Sequence, residues 1–387
     1  MTTNGNGHYP PPFDELKARI SQRMKDGQYR EALALCTQAL ERDPQNADIL
    51  LSRGLAHYQL GHYPEALRDL TTTLILDKRN ADALFMRANT YVRLGELKNA
   101  LIDYDEAINL RPNDEAMYYR RASVLAANGD VAGAIRDYDQ AITLAPHNPN
   151  LYYSRSTLRY SLRDVVGALA DISQAIDLGL QSPDAYVARG SYYAQLKQPS
   201  EAIGDFSQAI ALDMRHSEAF YNRGAVHFQE GNYDQAIADF SKTLKIQPNY
   251  TQAFFARGTA YLHRAQAGDL VEARRDFGEI ITRNDPHYRL LARFYRAEAY
   301  YRLGKYERAE LDLWTLVTDD DVTHVFEFLG NALLLVVLAK TGRMDEAREY
   351  VQVLLEQTPH FATISRVTAQ FRWWGDDEKD LYTQVLG

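Results

Sequence analysis

Cysteine occurs once in the 387 residues, at Cys36. A lone thiol excludes an internal disulfide framework, a cysteine metal cluster and a CxxC redox pair. It falls on the apolar face of an expected helix, where a thiol packs as a small hydrophobe. A basic excess is also missing: 43 Lys and Arg stand against 52 Asp and Glu, giving a net charge of −9. That balance argues against a general nucleic-acid binder. No basic stretch followed by an apolar one opens the chain, so no secretory leader is read there. The longest apolar run, "ALLLVVLA" at 332–339, is about half of what a membrane span requires. A cytoplasmic protein without membrane insertion is expected. The ten histidines are scattered and none stands in HExxH. There is no serine in GxSxG and no glycine-rich phosphate loop, so neither a catalytic residue, a metal site nor a cofactor is expected.

What the chain has instead is periodicity. Arginine recurs at Arg19, Arg53, Arg87, Arg121, Arg155, Arg189, Arg223 and Arg257, each step being 34 residues. Self-similarity at such a period overrides any domain count based on length. Each period holds two apolar stripes of helical spacing separated by a short break. Glycine marks most breaks (Gly27, Gly61, Gly95, Gly129, Gly231, Gly304 and Gly342), and Arg163 and Lys197 replace it in two adjacent periods. The second stripe often ends at a proline, as at Pro44, Pro112, Pro146, Pro248, Pro286 and Pro359, a residue with no N–H to continue a helix. Asn46, Asn80 and Asn148 follow such ends and can cap the next helix. Small residues recur where two helices must approach closely, for example Ala66, Ala100 and Ala134 in second helices and Gly54, Gly190, Gly224 and Gly258 in first helices. Ala39, Ala107, Ala141, Ala175 and Ala209 form a second small site, filled later in the chain by Ile280, Leu316 and Leu354.

In length, small residues, aromatics and proline stops, the period resembles the tetratricopeptide repeat (TPR) family over residues 13–361. The resemblance implies an all-α fold: a right-handed superhelical solenoid of about ten antiparallel helix pairs with a concave groove. Units are expected to start near 13, 47, 81, 115, 149, 183, 217, 251, 290 and 328. Residues 263–273 carry three extra residues between their helices. Residues 1–12, with three consecutive prolines, lack helical period and read as a disordered extension. Residues 362–387, with "WWGDDEKDLYTQVL" at 373–386, read as a C-terminal capping segment, which a solenoid needs because its last apolar face has no neighbour.

A second regularity is ionic. Aspartate follows the arginine after 16 residues in Arg53 and Asp69, Arg87 and Asp103, Arg121 and Asp137, Arg155 and Asp171, Arg189 and Asp205, Arg223 and Asp239, and Arg296 and Asp312. Arg257 and Asp276 are 19 apart, the same spacing plus the insertion. So many copies cannot each be an active site. We expect structural ion pairs between the two helices of one unit rather than across units, because the final unit loses both charges together, having Leu334 and Tyr350 in their places.

A ligand is expected on the groove lined by first helices. Phe85, Tyr119, Tyr153, Tyr221, Phe255 and Phe294 lie beside the apolar stripe there, with Asn222 next to Tyr221. These rings either line the groove or pack between successive first helices. Asp14, Asp48, Asp82, Asp184 and Glu218 open first helices, where carboxylates either favour a basic or amphipathic peptide or simply complement the helix dipole. Two specificities of the family look absent. The lysine of the chaperone-binding clamp is replaced by Phe85, Tyr119 or Tyr153, and of the asparagine series of the O-GlcNAc transferase repeats only Asn222 survives. The expectation is a non-catalytic protein–protein interaction scaffold whose partner is a protein or peptide. The alternative is a regulatory or sensor arm of a separately encoded or truncated enzyme, such as a cyclase, kinase or glycosyltransferase system.

Overall fold

The computed structural model describes residues 12–357 and 374–386. The expectations for residues 1–11, Pro359 and Trp373 lie outside the described residues. Within them the regular elements are all α-helices and no strand occurs. The chain divides into two compact units, at Leu180 and Gln181. The first holds the pairs α1 (Phe13–Lys25) and α2 (Tyr29–Leu40), α3 (Ala47–Gln59) and α4 (Tyr63–Leu76), α5 (Ala81–Arg93) and α6 (Leu97–Leu110), α7 (Glu115–Ala127) and α8 (Val131–Leu144), and α9 (Pro149–Ser161) and α10 (Val165–Asp177). The second holds α11 (Pro183–Gln195) and α12 (Pro199–Leu212), α13 (Ser217–Gln229) and α14 (Tyr233–Ile246), α15 (Thr251–Arg264) and α16 (Asp269–Thr282), α17 (Arg289–Arg302) and α18 (Tyr306–Val317), and α19 (His324–Lys340) and α20 (Met344–Gln357), followed by α21 (Asp376–Leu386).

Local chemistry fixes the ends of these helices. The side chains of Asn46, Asn80 and Asn148 accept from the backbone N–H of Ile49, Ala83 and Asn150, satisfying donors that an isolated helix start leaves open. Asp114, Asp130 and Asp164 cap further helices in the same way, and their signal was as readable as that of the asparagines. Within a pair the chain reverses at a residue of positive φ. Arg163 and Lys197 hold that geometry at φ 65° and 58° although an L side chain disfavours it.

Within each compact unit every first helix packs on its own second helix and every second helix packs on the next first helix, and first helices such as α3 and α5 or α13 and α15 touch. This is a solenoid of helix pairs. Close approach requires the small residues. A Cβ added at Gly224 would lie 2.9 Å from Phe240 Cε1, and one at Gly190 would lie 2.8 Å from Phe206 Cε1. Ala66, Ala100, Ala134, Ala202 and Ala236 on the second helices are fully buried.

The three-residue insertion extends α15 and adds a loop turned by Ala265 and Gly268, both of positive φ. Arg264 grips Asp269 through Nε and Nη2, and Asp269 also accepts from the Gln266 backbone N–H. The last first helix departs from its expected start. It begins at His324 rather than near 328 and runs for 17 residues. Its run 332–339 is buried throughout and is covered by α17, α18, α20 and α21. A helix that is apolar on all sides belongs in a core, and no described helix is long and apolar enough to cross a membrane. Trp374, Tyr382 and Val385 close this C-terminal core.

Candidate binding surface

The repeated arginines are saturated from several sides. In all eight pairs the arginine Nε donates to one carboxylate oxygen of its own unit's aspartate and Nη2 donates to the other, as in Arg53 with Asp69 and Arg223 with Asp239. The aspartates are buried. Donating hydrogen bonds to the aspartate raises the pKa of Arg53, Arg87 and Arg189 above the ordinary guanidinium value, so these cations stay charged at any working pH. One more contact runs across units. Nη1 of Arg121 and of Arg155 donates to Asp105 and Asp139 of the preceding unit, and Nη1 of Arg223 and of Arg257 donates to the hydroxyls of Ser207 and Ser241. The paired aspartate is thus the one of the arginine's own unit, and the across-unit bond goes to a different residue of the preceding unit. The second acceptor always lies two residues after the preceding unit's paired aspartate, a polar position that was visible in the sequence. A ring caps the same group: the guanidinium carbon lies 5.8 Å from the Tyr118 centroid for Arg121 and 5.7 Å from that of Phe220 for Arg223. With their edges hydrogen-bonded and one face covered by a ring, Arg121 and Arg223 have little left to offer a ligand.

The aromatic residues of the first helices are half-buried rather than free or enclosed. Phe85 packs on Tyr104 and Tyr119 packs on Tyr138 in the first unit, with centroids 5.8 and 5.9 Å apart. Tyr153 on α9 is half-buried as well. In the second unit Tyr221 packs on Phe240 and Tyr250, and Phe255 packs on Phe277, Tyr288 and Tyr295. Each of these four rings thus rests on the aromatic residue that follows its own unit's paired aspartate, and the alternatives of groove and packing are not exclusive. Asn222 is also half-buried. Phe294 differs: it is 4 % exposed and belongs to the C-terminal core, against Tyr295 and Phe326. It is lost as a surface residue because the early start of α19 brings Phe326 over it.

The acidic helix starts are partly consumed within the chain. Asp82 takes both nitrogens of Arg111, and Asp184 lies 3.0 Å from His216 Nε2. Asp14, Asp48 and Glu218 remain exposed. Burial pushes the Cys36 thiol up to about 12, which leaves it protonated and unreactive. Among the described residues no group of three His, Cys, Asp or Glu could hold a metal ion. The arrangement offers ring faces, amide and carboxylate groups on the first helices, groups suited to recognition.

Comparison with known proteins agrees with this geometry. One family model of the tetratricopeptide repeat matches residues 217–250, and a second matches 18–70, 51–115, 85–149, 119–183, 153–216 and 262–314. No curated protein matches the chain. Among solved structures it is similar to the C-terminal part of a TPR repeat-containing protein from Cytophaga hutchinsonii, at 16% identity and a TM-score of 0.54 over 63% of this chain and 99% of that one. It is also similar to YrrB, described as a TPR protein with an unusual peptide-binding site, at 26% identity and a TM-score of 0.45 over 49% of this chain and 97% of that one. The first likeness bears on the fold alone.

Proposed function

The chain belongs to the tetratricopeptide repeat family, and from that premise we propose that it is a non-catalytic protein–protein interaction scaffold holding a peptide or a partner domain against its first helices. The observation that carries this reading is the set of half-buried rings. Phe85 and Tyr119 in one unit, and Tyr221 and Phe255 in the other, are each anchored below and partly open above, and Tyr153 and Asn222 are half-buried as well. A ring fixed in this way loses little entropy when a partner covers it, and tyrosine adds one polar handle. The net charge of −9 and the exposed Asp48 and Glu218 favour a basic or amphipathic partner over nucleic acid. The buried single thiol suits a reducing compartment, and the proposed site of action is the cytoplasm.

The test uses the full chain and the double variant Tyr119→Ala plus Tyr153→Ala as baits in quantitative capture. Circular dichroism and thermal melting are run alongside to establish folding. A folded variant that captures its partners roughly tenfold less well supports the reading, the size being that of a lost aromatic anchor. A folded variant that retains every partner at the wild-type level removes the first unit's face from consideration.

A further inference from the structure

Among the described residues nearly every half-buried arginine has a carboxylate partner, but the half-buried Arg274 and the exposed Arg308 in the second unit do not, and they stand together. Arg274 on α16, Arg296 on α17 and Arg308 on α18 place their guanidinium carbons 6.0, 5.9 and 5.9 Å from the ring centroid of Tyr300 on α17. Arg296 is neutralised by Asp312, and Arg275, next to Arg274, by Glu272. Among the described residues Arg274 and Arg308 have no carboxylate at ion-pair distance. Two uncompensated positive charges therefore converge on one phenol in a chain whose net charge is −9.

The repeat itself shows that the fold does not ask for either arginine. Arg274 lies two residues before the paired Asp276, and at that place six other units hold Leu67, Leu101, Ile135, Leu169, Ile203 and Ile237 and the next unit holds Glu310, so no other paired unit has a cation there. Arg308 lies four residues before Asp312, where the other units hold Glu65, Asn99, Gly133, Gly167, Glu201, Gln235 and Glu272. At both positions arginine stands where the other paired units hold an aliphatic, neutral or acidic residue, and the two meet around one ring. The chain accepts two like charges side by side where neighbouring units avoid them.

We propose that Arg274, Arg308 and the Tyr300 hydroxyl form a binding site for a phosphate group. Two guanidinium forks match the oxygens of a tetrahedral dianion in geometry and in charge, whereas a carboxylate would leave one positive charge uncompensated. Tyr300 is 8 % exposed and serves as the floor, while Arg308 is exposed and Arg274 half-buried, so that both side chains are reachable from solvent. The state of the phenol agrees with crowded positive charge. Burial raises its pKa, but hydrogen bonding from Arg274 and Arg308 and the charges of Arg296 and Arg274 outweigh that and leave it lowered. This site is independent of the peptide-binding reading, since it uses none of those residues.

The phosphate can be free or carried on a phosphorylated peptide, and the experiment separates the two. The full chain is titrated with inorganic phosphate, with a phosphoserine peptide and with the same peptide unphosphorylated, at constant ionic strength, by calorimetry and by phosphorus NMR line broadening. The same titrations are made on Arg274→Leu and on Arg308→Gln, which install residues that other units already carry and so preserve the fold. Saturable binding of phosphate or of the phosphopeptide, weakened at least tenfold in each variant with melting unchanged, is the expected result. Tighter binding of the phosphopeptide than of inorganic phosphate identifies a modified partner; equal binding identifies a free anion. Absence of binding in the wild type, or equal binding in wild type and both variants, overturns the proposal.

Discussion

Asp239 is 5 % exposed and both its carboxylate oxygens are taken by Arg223, so a change to one partner differs from a change to both. Removing Asp239 alone leaves a half-buried guanidinium without its counter-charge, at a cost of about 3 kcal/mol. Replacing both residues by leucine removes the uncompensated charge, and the double variant Arg223→Leu plus Asp239→Leu is expected to be more stable than Asp239→Leu alone. Chemical denaturation of the three proteins checks this, and a double variant that is the least stable of the set contradicts it. A second residue-scale prediction concerns Glu298. Burial lifts its carboxyl to about 7 despite Arg302 nearby. In the folded state it therefore binds a proton that the unfolded chain has already released above the ordinary carboxylate value, so its contribution to stability is fully present below about pH 4.5 and is lost as pH rises through about 7. Glu298→Gln is expected to abolish that fall. The difference in melting temperature between pH 5 and pH 8 is the readout, and the effect should be on the order of 1–3 kcal/mol.

At the scale of elements, the pair turns give a clean experiment. Seven turns use glycine at positive φ, whereas Arg163 and Lys197 occupy the same conformation with a full side chain. Lys197→Gly is expected to stabilise the protein by roughly 0.5–1 kcal/mol, the left-handed strain being partly offset by glycine's larger unfolded-state entropy. The reverse change, Gly95→Lys, is expected to destabilise by a similar amount, and denaturation midpoints compare the two. The element scale also explains where periodicity stops being a guide. The stretch 332–339 carries no amphipathic stripe, because it is buried on all sides, with α21 packed on α19 beside α17, α18 and α20. Its early start at His324 follows from the same burial and is what removes Phe294 from the surface.

At the scale of the molecule, a stack of helix pairs must close its ends. Trp374 and the α21 residues Tyr382 and Val385 are buried against the C-terminal core that α19 builds. Deleting residues 374–387 strips that cover from Leu333–Leu338, an apolar stretch with no polar side to turn outward. The truncated chain is expected to self-associate and to melt at a lower temperature, by at least several degrees. Light scattering and thermal melting read this out, and a monomeric truncation of unchanged stability would show that α21 is dispensable.

The sequence by itself determined the helix pairs, the 34-residue register over eight units, the small-residue contacts and the partners in the ion pairs, because each of these is a local requirement repeated many times. A Cβ that does not fit at Gly224 does not fit at Gly190 or Gly258 either, and repetition turns one weak signal into a strong one. Only the tertiary structure decided which groups are spent and which remain available. It gave Asp82 to Arg111, Asp184 to His216, Phe294 to the core and a second acceptor to Arg121 and Arg155, while leaving Arg274 and Arg308 uncompensated beside Tyr300. The physical reason is that these outcomes depend on which neighbour lies within a few ångströms across a unit boundary, a distance that periodicity along the chain does not encode.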